Sequence, residues 1–385
     1  MSTGVHIAGV GSTKFGFHPD RSLQSLAVEA ARAALADSNL PANRIGWLFV
    51  GNFVGGIMAG QEFLGPIVAA DLGLENVVAM KVEAACASSS AGVRIGYDLI
   101  GAQAADAVLV VGVERMTGAT REALTSAMTA AIDQASEGHA GLTFPGFWGM
   151  IMARHMHLYG TTREQVAAVA VKNRTFGTRN PIAQFQKPIS VAEVIASPPI
   201  ADPIRRLDCC PATDGAAAVV LSSEALTRQY GSPSVRVAAS VMMNGPVRIG
   251  DYREITVHDG TVNAARQAYA RAGVGPHDID VAELHDCFSI AEIVDSEDLG
   301  FFKKGEGGPN VTAAVRNGRL VVNPSGGLLS KGHPTGATGC GQIYEIAMQL
   351  RGRHPNQVPD ARLGLTHNGG GTAAAVTVHI LEATQ

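Results

Sequence analysis

Residues 30–50 read AARAALADSNLPANRIGWLFV, and residues 264–284 read AARQAYARAGVGPHDIDVAEL. Each opens with an alanine-rich helical pattern, crosses a turn holding one proline, and ends in an apolar strand-like run. The offset is 234, and it sets Ile45 on Ile279. Two further matches keep the same order. An offset of 247 lays Gly92 on Gly339, Tyr97 on Tyr344 and Cys86 on His333, and an offset of 157 lays Ala216 on Ala373. Ordered self-similarity of this kind points to a duplicated architecture. The fall from 247 to 157 gives the first half about 90 extra residues, roughly Gly118 to Leu207.

Working outward, VHIAGVG reads as a first strand and SLQSLAVEAARAALADSNL as a helix capped by Ser22. IGWLFVGNFVG and AADAVLVVGVE read as further strands. Strands alternating with helices predict a mostly parallel sheet covered on both faces. The expected organisation is an N-terminal half over 1–117 plus 208–230, an inserted segment over 118–207, and a C-terminal half over 231–385. The insertion is rich in methionine and aromatics around FPGFWGMIMARHMHLYG, followed by a helix opened by Thr161 or Thr162. Core helices or a subunit interface are its plain reading, and a lid over a ligand is the functional one.

The chain has 385 residues, 46% apolar and 17% charged, with 45 glycines and a net charge of −4. With no long basic run, nucleic acid is excluded as a partner. No apolar run is long enough for membrane insertion. The N-terminal stretch lacks the basic and apolar regions of a secretory signal, and the C-terminal EATQ is not a peroxisomal address. Five cysteines without a C-x-x-C pair argue against a disulfide framework and against a metal site. A reduced, cytoplasmic protein is expected.

Four stretches carry the chemistry. VEAACASSSAGVRIGYDLI (82–100) sets Cys86 before an apolar helical run, where it is either an inert buried thiol or a nucleophile favoured by free backbone N–H groups. AELHDCFSI places His285, Asp286 and Cys287 at the end of a strand, where the ligand crevice of an open α/β sheet lies. NPSGGLLSKGHPTGATGCG (323–341) is the densest glycine cluster, and His333 and Pro334 open the helix that the repeat equates with the Cys86 helix. If a pseudo-twofold axis relates the halves, thiol and imidazole meet, which is how a cysteine is activated. GLTHNGGGTAAAV (364–376) ends a strand in three glycines able to aim N–H groups at an oxyanion. There is no G-x-S-x-G elbow, and AGVGSTKFG is one glycine short of a dinucleotide fingerprint.

Together AACASSSAG, HDCF, GHPTGATG and HNGGG resemble the four motifs of the thiolase superfamily, over essentially the whole chain. HDCF and LDCCPATDGAAAVVL resemble the sterol-carrier-type and archaeal acetoacetyl-CoA branch. The resemblance implies an α/β thiolase fold: two βαβαβαββ halves forming a five-layered α-β-α-β-α core, with the insertion as loop domain. It implies an acyltransferase that makes or cleaves 3-oxoacyl-CoA through an S-acyl cysteine. Coenzyme A thioesters would be substrates, with no tightly bound cofactor. By motif, Cys86 would be the nucleophile and His333 its base. The backbone N–H groups of Cys86 and of Gly369 or its neighbour Gly370 would form an oxyanion hole. His285 would stand where the family uses Asn. Where better-known thiolases carry a cysteine in the fourth motif, this chain has His367, so Cys287 becomes the favoured second acid/base and His367 the alternative. Cys209, Cys210 and Cys340 read as structural, and Lys172, Arg174, Arg205 and Arg206 as solvated or phosphate-facing. A homodimer or homotetramer is expected, with a small accessory partner protein as an option. The rival readings are a decarboxylating ketoacyl-synthase-like enzyme, a partner-dependent lyase on the same fold, and a non-catalytic lipid or acyl-CoA binder.

Overall fold

The computed structural model of the chain describes residues 4–310 and 320–384. The first three residues and Gln385, on which the reading of the chain ends partly rested, lie outside the described residues. Twelve strands appear in chain order among the described residues: β1 (Val5–Ser12), β2 (Trp47–Gly51), β3 (Val78–Val82), β4 (Ala107–Glu114), β5 (Pro199–Ala201), β6 (Ile204–Arg205), β7 (Gly215–Ser223), β8 (Val235–Asn244), β9 (Val281–Glu283), β10 (Val321–Val322), β11 (Leu363–Gly370) and β12 (Ala375–Ala383). All but the β5–β6 ribbon join in the order β10-β9-β11-β12-β8-β1-β7-β4-β2-β3.

That order is one pattern used twice. β3-β2-β4-β7-β1 and β10-β9-β11-β12-β8 have matching pairings: the first three strands of each are parallel, and the last two pairings are antiparallel. Within the sheet, among the described residues, the halves pair at His6↔Arg236 and Ile7↔Val235 between β1 and β8. The expected mostly parallel sheet is therefore mixed: β12 follows β11 through the short turn 371–374 and pairs antiparallel with it, and β7 takes the matching place beside β4 after the insertion.

Burial on both faces explains the unbroken apolar runs of β4 and β7. Leu109, Val111 and Val113 of β4 pack with Ala27, Ala31 and Ala34 of the outer helix Leu23–Ser38. Val108 and Val110 point the other way, with Val93 of the helix Ser88–Gly101 and Ile343 and Ile346 of the helix Thr338–Leu350. In the second half, Val376, Val378 and Ile380 of β12 pack with Ala264, Ala265 and Ala268 of the outer helix Asp259–Ala272. The two central helices form the middle layer. Ser22 caps the first helix as expected, its side chain accepting from the Ser25 N–H.

The central helices also correct the repeat register. A short turn precedes each, Ala85–Ala87 and Thr335–Ala337, and the helices start at Ser88 and Thr338. Start to start, the offset is 250, so Cys86 matches Gly336 and not His333. Glycine–alanine helices align almost equally well at neighbouring offsets, which is why the sequence match slipped.

Four helices build the inserted segment: Arg121–Thr129, Phe144–Tyr159, Arg163–Gly177 and Val191–Ala196. Thr162, not Thr161, opens the third, in a reciprocal capping box with Gln165. Phe147, Ile151, Val166 and Ala170 pack on Ile290, Ile293 and Val294 of the helix Ser289–Asp298, so the aromatic run is largely core of this chain. No helix among the described residues is long and apolar enough to cross a membrane.

The halves approach so closely that side chains are excluded. A Cβ on Gly339 would lie 2.5 Å from the Ser90 backbone nitrogen, and one on Gly112 would lie 2.5 Å from the Ala337 Cα. In an exposed helix, Gly→Ala gains roughly 1 kcal/mol. Gly339→Ala is expected to lose about 1–3 kcal/mol instead, from overpacking. Urea unfolding checks this, and a stability gain would contradict the packing described.

Candidate active site

Cys86 stands between β3 and the first central helix, in a turn the backbone does not adopt freely. Ala85 is left-handed, with φ at 49°, a conformation costly for any residue bearing a Cβ. Three hydrogen bonds hold it. Ala85 N–H donates to Glu83 Oε1 (2.6 Å), Ala84 N–H donates to Ser88 Oγ (2.9 Å), and that hydroxyl donates to the Ala85 carbonyl (2.6 Å). The turn buries the thiol. Burial first, and the Glu114 and Glu83 carboxylates, push it up to about 12, although the N–H groups of Gly371 and of Cys86 itself face the sulfur. Desolvation outweighs the helix-start field, so the resting group is a neutral thiol.

The two N–H groups define a small anion-accepting corner. Gly371 supplies the second of them, where the sequence pointed to Gly369 or Gly370. Gly369 lines the cavity, and Gly370 packs its bare Cα side on the loop, where a Cβ would meet the Ala84 carbonyl at 2.3 Å.

His333 follows Gly332, whose φ of 116° suits glycine, and its own N–H donates to Thr213 Oγ1 (3.0 Å). Its Nδ1 lies 2.7 Å from Thr338 Oγ1, and that hydroxyl donates to the Pro334 carbonyl. The hydroxyl proton is thereby committed, so Nδ1 carries the ring proton and Nε2 keeps a lone pair. His285, after β9, has the opposite tautomer. Asn368 of β11 donates its side-chain N–H to His285 Nδ1 at 2.9 Å, leaving the ring proton on Nε2. The rings stand edge to face, centroids 5.0 Å apart. One donor atom each from Cys86, His285 and His333 lies within 4.8 Å of the other two. Burial keeps both imidazoles uncharged, pushing His333 down to about 3 and His285 well below its usual range.

The remaining sequence candidates divide. Cys287 lines the same cavity, as do Cys209 and Cys210. Burial, with Cys210 and Cys86 nearby, raises the Cys287 thiol well above its usual range, against the expectation that imidazoles bring it toward neutrality. His367 lines the cavity with Nε2 on Thr261 Oγ1 (3.0 Å) and Nδ1 3.6 Å from Asp295 Oδ2. Cys340 is buried in the second central helix, outside the cavity lining. Lys172 is not phosphate-facing: its side chain is buried and pairs with Glu292 at 2.9 Å. Arg174 stacks on Phe185, its guanidinium 3.8 Å from the ring centre.

Sequence reasoning missed Asn368, Thr338, Gly371 and Asp295. Asn368 neighbours His367 in a quoted motif, but its service to His285 depends on β11 lying beside β9. Asp286, noted only as lying between His285 and Cys287, is an anchor: its carboxylate accepts from the Leu328 N–H and from Asn173. The insertion walls the cavity of about 220 Å³ with Leu124, Met128, Phe144 and Trp148, opposite Phe288 and Ala373. The insertion is thus cavity wall as well as core.

Two α/β halves with a cysteine and two histidines at their junction define the thiolase class, and the chain belongs to the thiolase family. The family's N-terminal domain matches residues 5–225, and the C-terminal domain-like model matches 246–383. More narrowly, the chain is 43% identical over 379 residues to an acetyl-CoA acetyltransferase of Methanothermobacter thermautotrophicus, covering 98% of each. It is 38% identical to sterol carrier protein 2 of Oryctolagus cuniculus, over 97% of this chain and 71% of that one. Among solved structures it resembles the Ltp2-ChsH2(DUF35) aldolase, with a TM-score of 0.84, 27% identity, and 99% and 98% of the two chains covered.

Buried neutral histidines make stability fall in acid. Burial holds His258, His333 and His379 at about 4, 3 and 3 in the native state. Unfolded, each titrates near ~6.5. Below that value the unfolded chain binds protons the native one does not, at up to ~1.4 kcal/mol per pH unit for each histidine. Asp295, raised by burial to about 6, works the other way, as do the buried carboxyls of Glu114, Asp208, Glu283, Asp286 and Asp298. His6, His285 and His367, lowered by burial, add to the loss. A net loss is expected between pH 6.5 and 4, measured by urea midpoints. A flat or rising profile would contradict these environments.

Proposed function

We propose that the chain is an acyl-CoA acyltransferase that condenses two acyl-CoA molecules to a 3-oxoacyl-CoA, or cleaves the product with coenzyme A, through S-acyl Cys86. The observation that carries this is the pairing of a thiol with a base and two oxyanion donor sets in one cavity. Cys86 Sγ attacks the thioester carbonyl as His333 Nε2 takes its proton. The same imidazole returns the proton to the departing coenzyme A sulfur, so the neutral resting pair suits the step. The N–H groups of Cys86 and Gly371 receive the oxyanion of the acyl group on sulfur.

His285 Nε2–H receives the enolate oxygen of the second acyl-CoA, whose α-carbon then attacks the S-acyl carbonyl and expels the Cys86 sulfur. Cys287 sulfur takes the α-proton as its own thiol proton passes to the expelled Cys86 sulfur, so both thiols end the turnover protonated. In the cleavage direction it donates that proton, for which an undissociated thiol is the right form. His367 is less suited, since its Nε2 is engaged by Thr261 and its Nδ1 faces Asp295. An intact Cys86 within the cavity favours acyl transfer over the lyase and non-catalytic readings. Resemblance to a two-component aldolase supports an accessory partner protein. The five free thiols and the lack of a crossing helix among the described residues support a cytoplasmic setting.

A homodimer is supported by β3, an edge strand whose Val78 and Met80 are 44% and 41% exposed on one face. Sedimentation should give a species of twice the chain mass, reduced to one chain by Met80→Lys. A monomeric wild type would overturn this.

Intact mass after brief exposure to acetyl-CoA tests the chemistry. One acetyl adduct is expected, absent in Cys86→Ala and slowed about 10²–10⁴-fold in His333→Asn. Cys287→Ala should acylate normally yet lose condensation. Absence of any adduct with acetyl-CoA, longer acyl-CoAs or malonyl-CoA would contradict the proposal.

A further inference from the structure

The cluster that serves acyl transfer has a second chemical property. One donor atom each from Cys86, His285 and His333 lies within 4.8 Å of the other two, all three residues are buried, and they come from three separate segments. A thiolate and two neutral imidazoles are the ligand set of a thiophilic divalent cation, and three protein ligands leave a fourth position open. Here the fourth position faces the cavity, where water, or the thiol of Cys210 or Cys287, is at hand.

The surroundings suit a cation. The carboxylates of Glu114 and Glu83 act on the Cys86 sulfur in the direction that favours a cation bound there. His333 arrives with Nδ1–H held by Thr338 and Nε2 free, the arrangement in which a ligating imidazole is oriented by its outer partner. His285 needs one adjustment. Asn368 Oδ1 is buried without a hydrogen-bond partner, and turning the amide over places that oxygen on Nδ1–H and frees Nε2 for the metal. An orphan acceptor next to the ring is the second observation pointing to a ligand.

We infer that Cys86, His285 and His333 form a binding site for a thiophilic divalent cation of the zinc class, which blocks acyl transfer by capping the nucleophile. Binding replaces the Cys86 S–H bond with a metal–sulfur bond, and the proton leaves to solvent. Nothing is oxidised or reduced. The lack of any C-x-x-C spacing hid the site from the sequence, because its ligands meet only through the fold. The inference deepens the proposed function as regulation of the same cavity, but its ligand geometry stands without turnover.

Zinc and cobalt titrations of the full-length wild-type chain, after chelator treatment, test it. One equivalent of zinc should bind, protect Cys86 from iodoacetamide in peptide mapping, and inhibit acylation in competition with acetyl-CoA. Cobalt should give a thiolate-to-metal charge-transfer band. Cys86→Ala should lose the band and weaken zinc by more than about 100-fold, and Asn368→Ala should weaken it about 10–100-fold. Magnesium should neither bind nor protect. Cys340→Ala, outside the cavity lining, controls for general thiol loss and should bind as wild type. Zinc binding unchanged in Cys86→Ala, equal protection by magnesium, or no stoichiometric binding would each overturn the inference. An acylated chain that binds no zinc sinks this inference alone, and a zinc-binding chain that never acylates sinks the functional proposal alone.

Discussion

Everything functional in this chain depends on how near its two halves can come. Gly112 and Gly339 let the central turns and helices touch backbone to backbone, and Gly370 does the same against the Cys86 loop. The buried Glu114 carboxylate spans the junction, accepting from Asn52 and Phe53 on one side and from Thr335 and Gly336 on the other. Burying a carboxylate is costly unless its lone pairs are filled, and here four donors fill them. Two loops from opposite halves are held where a sulfur and an imidazole nitrogen meet.

Within that frame the chemistry is set by dehydration more than by charge. The thiol and both histidines rest neutral, and their difference in role comes from hydrogen bonds. Thr338 can only accept from His333, and Asn368 as oriented only donates to His285. One ring becomes a base and the other a donor although both are imidazoles in one cavity. A neutral resting site spares the fold a buried ion pair, whose desolvation would have to be offset elsewhere.

Much of this was legible in the chain itself. The duplication is visible because both halves use the same alanine-rich outer helix against the same kind of strand, as Ala30–Ala34 and Ala264–Ala268 show. Cys86, His285, Cys287, His333 and His367 stand out as chemically able residues at strand ends and helix starts, and all five line the cavity. What the sequence could not show is partnership across space. Asn368, Thr338 and Gly371 act on residues brought to them by strand order and by turns, and no spacing encodes that. The three-residue slip that set Cys86 on His333 has the same origin. Composition aligned the helices, whereas only the fold shows where they begin.

A crystal structure of the chain after reaction with acetyl-CoA would test the central claim, that both halves together build one acyl-binding site around Cys86. The acetyl group is predicted on Cys86 Sγ, its carbonyl oxygen between the N–H groups of Cys86 and Gly371, with His333 Nε2 beside the sulfur. An acetyl group on another cysteine, or one on Cys86 whose oxygen points away from Gly371, would contradict the account.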